Sequence, residues 1–162
     1  MKKLLVFATI VASGSAFASA GNHFSLMEVT KHSGFVPAHL AHSLHCTIGN
    51  DGVLVKWSTG TSGKQNVKYN PTKYTNEVSN ELVALELLKK AAKGGLSTDA
   101  GPTCGPMNTY TGIIEGPVVS KHIKLFQSGM KIGKNTAEGV DQLIEFGNVN
   151  CQFPAENEDS EE

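Results

Sequence analysis

Apolar and polar residues alternate one for one along several stretches of this chain and recur at three-to-four spacing along two others. Leu40, His42, Leu44, Cys46 and Ile48 fall on one side of an extended backbone, and Ala41, Ser43, His45 and Thr47 fall on the other. That period of two predicts a strand. Asn50-Asp51-Gly52 follows as a turn signal, and Val53–Trp57 reads as the partner strand of a hairpin. Ser58–Lys64 is a Ser/Thr/Gly turn leading to a weaker strand at Gln65–Tyr69. Later in the chain Tyr110–Glu115 and Val118–Phe126 read as strands on either side of Gly116-Pro117.

Helical spacing is clearest over residues 76–93. Val78, Leu82, Leu85 and Leu88 form a stripe that Val83 and Leu87 widen. Glu77 and Glu81 lie early, Lys89, Lys90 and Lys93 lie late, and this polarity opposes the helix dipole favourably. Asn76 or Thr75 caps the start and Gly94-Gly95 ends the helix. A shorter helix is predicted at about 136–146. Asn135 begins it with Glu138 at the capping-box position, Ala137, Val140, Leu143 and Ile144 form its apolar face, and Gly147 ends it. Residues 21–37 carry no clear period and read as a loosely attached arm, and residues 96–108 read as a loop. Strands grouped early and late around one long helix predict an α+β fold with a mostly antiparallel sheet.

The first twenty residues belong to a different pattern. Lys2 and Lys3 precede an apolar run from Leu4 to Val11, and Ala18-Ser19-Ala20 matches the small-x-small site of a secretory signal, with the cut before Gly21. The expected organisation is a leader over 1–20, one globular domain over 21–154, and a disordered acidic tail over 155–162. The expected location is the periplasm or the cell exterior, with no membrane attachment once the leader is removed, because no later apolar run approaches the ~20 residues a span needs.

Charge narrows the partners. All 14 basic residues are lysine. Losing two of them with the leader leaves twelve lysines against fifteen acids, five of which sit in the tail. The body is therefore near neutral, which gives nucleic acid no electrostatic foothold. The lack of arginine removes any bidentate guanidinium clamp.

Candidate chemistry is sparse. Three cysteines in an exported chain predict one disulfide and one thiol left over. Cys104, in the turn-rich Gly101–Pro106 segment, and Cys151, past the end of the short helix, are the expected pair, with Cys46 a buried free thiol. The one local concentration of ligands is His39-x-x-His42-x-x-His45-Cys46. Imidazole and thiolate suit Zn or Cu, the only cofactors this chain suggests. On a strand His39 and His45 share a face and His42 points away, so a short helix started by Pro37 and running into a strand is needed to bring the set together. His23, His32 and His122 are further ligands in reserve. Gly60-Thr61-Ser62-Gly63-Lys64 fails as a phosphate loop, since Ser58 and Gln65 stand where a Walker sequence needs Gly and Ser or Thr. No catalytic motif is present. Cys104 with His122 is a formal thiol–base pair, while Asp99, Glu115 and Asp141 are scattered.

These features predict a small exported binding or interaction protein without catalytic activity. Its partner would be another exported protein, met by Trp57 or by the Pro/Gly loop around Cys104. The alternatives are a periplasmic metal-binding protein using the His/Cys cluster and a small hydrolase whose site the fold assembles.

Overall fold

A computed structural model of the chain describes residues 25–60, 64–71, 81–102 and 105–153. The expected leader, the start of the helix expected at 76, Cys104 and the expected acidic tail lie outside the described residues. The elements are β1 (Ser25–His32), a 3-10 turn (Ala38–Leu40), β2 (His42–Gly49), β3 (Val53–Thr59), β4 (Gln65–Asn70), α1 (Glu81–Ala91), β5 (Leu96–Ala100), β6 (Met107–Ile114), β7 (Lys121–Gln127), β8 (Lys131–Asn135) and α2 (Val140–Asn150). All eight strands join one antiparallel sheet in the order β4-β3-β2-β1-β6-β7-β8-β5.

The α+β class and the antiparallel sheet agree with the sequence, but the balance differs. The described residues are mostly sheet, and neither helix among them is long. α1 and α2 have 11 residues each. α2 also starts later than the capping-box spacing implies, because Asn135 belongs to β8 and not to a helix start. Its side chain is buried and fully engaged. Nδ2 donates to Ala91 O at 2.9 Å and Lys124 O at 3.3 Å, and Oδ1 accepts from Ala137 N at 3.0 Å. This one amide ties the end of α1, strand β7 and the approach to α2.

The largest departure is β1. The supposed arm is the central strand of the sheet, paired with β2 on one side and β6 on the other. Its period is hidden by an irregularity between Ser25 and Met27, which leaves the successive residues Leu26 and Met27 both buried. Past it Met27, Val29 and Lys31 face the helices, and Glu28, Thr30 and His32 face away. β5 replaces part of the loop expected at 96–108, and every one of its residues is exposed at the sheet edge, so no apolar period marks it.

Both helices lie on one face of the sheet. Met27, Val29, Leu44, Cys46, Ile48, Val53 and Val55 from the strands meet Ala84, Leu87, Leu88, Leu143 and Phe146 from the helices in a single core. The layers approach closely at two glycines. A Cβ on Gly112 of β6 would stand 2.1 Å from Leu88 Cδ2 of α1. A Cβ on Gly147 would stand 2.9 Å from Met27 Sδ and 3.1 Å from both Tyr110 and Val29. Gly147 therefore lies inside α2 as its contact point with the sheet, and does not terminate it. Trp57 packs against this same core from β3.

A disulfide joins Cys46 of β2 to Cys151 just past α2, with Cα atoms 5.7 Å apart. The expected Cys104–Cys151 pairing is thereby replaced. Cys46 and Cys151 are both fully buried, because the inward face of β2 lies beneath the end of α2. Lys31 Nζ donates to Cys151 O at 2.9 Å, placing a cation at the negative end of that helix. Burial lowers the pKa of Lys31 below its ordinary value.

Candidate functional site

The nine residues between β1 and β2 form a built loop. At its base Ser33 N donates to His42 O at 3.1 Å, and His42 N donates to Ser33 Oγ at 3.1 Å. Gly34 takes a φ of 80°, which an L side chain rarely adopts, and Val36 N reaches back to Gly34 O at 3.1 Å. Pro37 then starts the 3-10 turn, and Leu40 N and Ala41 N donate to Pro37 O and Ala38 O. From the side, Gly60 N of the β3–β4 connection donates to Ala41 O at 2.7 Å. The His42 ring meets Phe153 edge to face, with centroids 5.1 Å apart, two residues beyond the disulfide.

These backbone bonds hold a loop whose apolar side chains point to water. Phe35 is 73% exposed, Leu40 58% and Val36 39%. The chain from His32 to His45 contains no Lys, Arg, Asp or Glu. Two further exposed apolar residues lie at the same end of the sheet. Met107 starts β6 opposite His32, and Met130 sits in the turn between β7 and β8. Loops of this kind, held by a rigid scaffold, are where recognition residues concentrate. The uncharged run and Pro37 signal this loop along the chain, but the missing period in residues 21–37 conceals it.

The histidine cluster is taken apart by the fold. His39 sits in the 3-10 turn, and the strand sends His42 and His45 to opposite faces of the sheet. His42 lies on the helix side against Phe153, while His45 Nδ1 lies 3.5 Å from Thr30 Oγ1 on the open side. Cys46 is engaged in the disulfide and has no thiolate to offer. Among the described residues no three His, Cys, Asp or Glu side chains come together as a metal-binding group.

The residues considered for catalysis are likewise dispersed. His122 is exposed on β7, in register with Ile113. Cys104, its formal partner, lies outside the described residues. Ser120 Oγ donates to Glu115, and Asp141 is held by Lys134 at 2.7 Å. Asp99 lies in a cleft of about 430 Å³ beside β5, β8 and the start of α2, lined also by Phe126, Lys134, Val140 and Asp141. The ion pair within it satisfies its single cation. A smaller cleft of about 270 Å³ at the opposite end of the sheet from the apolar loop lies among Thr47, Asp51, Leu54 and Tyr69. Tyr69 Oη donates to Asp51 O at 3.1 Å.

No helix among the described residues is long and apolar enough to cross a membrane. Together with the disulfide, this is compatible with an exported protein. No family model, curated protein or solved structure matches the chain.

Proposed function

We propose that this is an exported, non-catalytic binding protein that engages a partner protein through the loop between β1 and β2. The observation that carries the reading is Phe35, an aromatic side chain 73% exposed on a loop whose backbone is already hydrogen-bonded. Burial of such a side chain in a partner would contribute roughly 25 cal/mol per Å² of apolar surface removed from water. Prior ordering of the loop lowers the entropy lost on docking. Leu40 and Val36 extend the apolar contact, and the lack of fixed charge from His32 to His45 spares the complex the burial of an unpaired ion. Trp57, packed on the core, is a scaffold residue in this reading.

The test is capture of the partner from the exported fraction of the source cells by the chain from Gly21. Phe35→Ser/Leu40→Ser should weaken capture by roughly thirtyfold or more, equivalent to losing about 2 kcal/mol at one anchor. Thermal unfolding should stay the same, because both side chains are already exposed. Pro106→Ala, at the Pro/Gly loop, should leave capture intact. Equal capture by the wild-type chain and the Phe35/Leu40 variant would reject the loop as the contact.

A further inference from the structure

Antiparallel register places two histidines that are far apart in sequence beside each other. On the face of the sheet away from the helices, Thr30 of β1 pairs with His45 of β2, and His32 pairs with Ser43. His32 and His45 are therefore diagonal neighbours on adjacent strands, and both are exposed. Diagonal neighbours have Cβ atoms a little under about 7–8 Å apart. Two imidazoles reaching from such positions to a shared ion, each with a metal–nitrogen distance of about 2 Å, span that separation.

We infer that His32 and His45 form a two-imidazole site for a divalent transition metal, with Cu²⁺ the tightest-bound member of the series. Imidazole suits Cu, Zn and Ni, and affinity along the first row peaks at Cu²⁺. His45 is already oriented for the task. Its Nδ1 lies 3.5 Å from Thr30 Oγ1, so Nε2 is the nitrogen outside that contact and serves as the ligand. The surrounding charges are Lys56, across from His45 on β3, and Glu28, diagonal to His45 on β1. Met107, across from His32 on β6, is not counted as a ligand. Its side chain leans over Gly129, with Cγ 3.0 Å from the position a Cβ there would take. The remaining coordination positions are open to water. This pair differs from the set suggested by sequence spacing, since the strand turns His42 to the far face and the disulfide consumes Cys46.

The experiment is a Cu²⁺ titration of the chain from Gly21, followed by native mass spectrometry and electron paramagnetic resonance. Every version carries His23→Ala, because a free amine at Gly21 with a histidine two residues further on chelates copper by itself. One Cu²⁺ per chain with imidazole-nitrogen hyperfine structure is expected. His32→Ala/His45→Ala should weaken binding by roughly tenfold or more, and His39→Ala/His42→Ala should leave it unchanged. Absence of bound copper, loss in the His39/His42 variant instead, or equal loss in both variants would overturn the assignment.

Discussion

Tyr110 is buried in the sheet beneath α2, its ring edge-on to Phe126 at 5.9 Å and its hydroxyl donating to Asn148 of α2. Burial, and secondarily the charge of Glu145, raises its pKa above the ordinary phenol value. A group whose folded pKa is raised contributes stability that is complete below the unfolded value near ~10 and is lost as pH rises through the folded value. Tyr110→Phe removes this ionisation along with the Asn148 bond. At pH 8 the variant should be less stable by about 1 kcal/mol. The gap should narrow above pH ~10 as the wild-type chain loses its advantage, and urea unfolding at a series of pH values measures it. A gap independent of pH would show that the phenol's ionisation carries no weight. At this same scale the histidines mark where sequence reading stops. Their residue types were plain, but the partner of His45 is set by register, and His32 lies thirteen positions away.

Among the elements, those whose apolar residues alternate without interruption were legible. β2, β3 and the inward residues of β7, Ile123 and Leu125, stand where a period of two places them. β1 was not, because its irregularity sets two buried residues in succession, and β5 was not, because an exposed edge strand needs no apolar face. Glycine misled in another way. Gly147 resembles a helix stop, yet it is the residue that lets α2 rest on Met27, Val29 and Tyr110. Gly112 plays the matching part in the sheet, beneath Leu88 of α1. Gly112→Ala should destabilise by about 1–3 kcal/mol through overpacking against Leu88. In the Leu88→Ala background the same change should cost much less, so the double variant falls short of the sum of the singles. Strict additivity in a denaturant-based cycle would contradict this contact.

For the molecule as a whole, the Cys46–Cys151 bond closes a separation of 105 residues and fastens the last helix to the sheet. Loop closure of that length stabilises by up to ~4.7 kcal/mol in the chain-entropy model, and native disulfides typically contribute about 2–4 kcal/mol. Cys46→Ala/Cys151→Ala should lower unfolding free energy by roughly that amount, whereas Cys104→Ala should leave both stability and the cross-linked Cys46–Cys151 peptide intact. A peptide map showing Cys104 in the bond would reverse the pairing. The sequence implied a disulfide from the cysteine count and the leader, but its partners depended on which strand face lay beneath α2. The position of β1 bears on how the protein is made. It leaves the ribosome before the other described strands, yet its second neighbour, β6, ends at residue 114. During vectorial synthesis β1 to β4 can assemble with one long side of β1 unpaired, a template for pairing with the same strand of another nascent chain. The secretory leader proposed for residues 1–20 would deliver the chain unfolded to a translocation channel and delay sheet assembly until β6 is available, so export and safe folding would call for the same order of events.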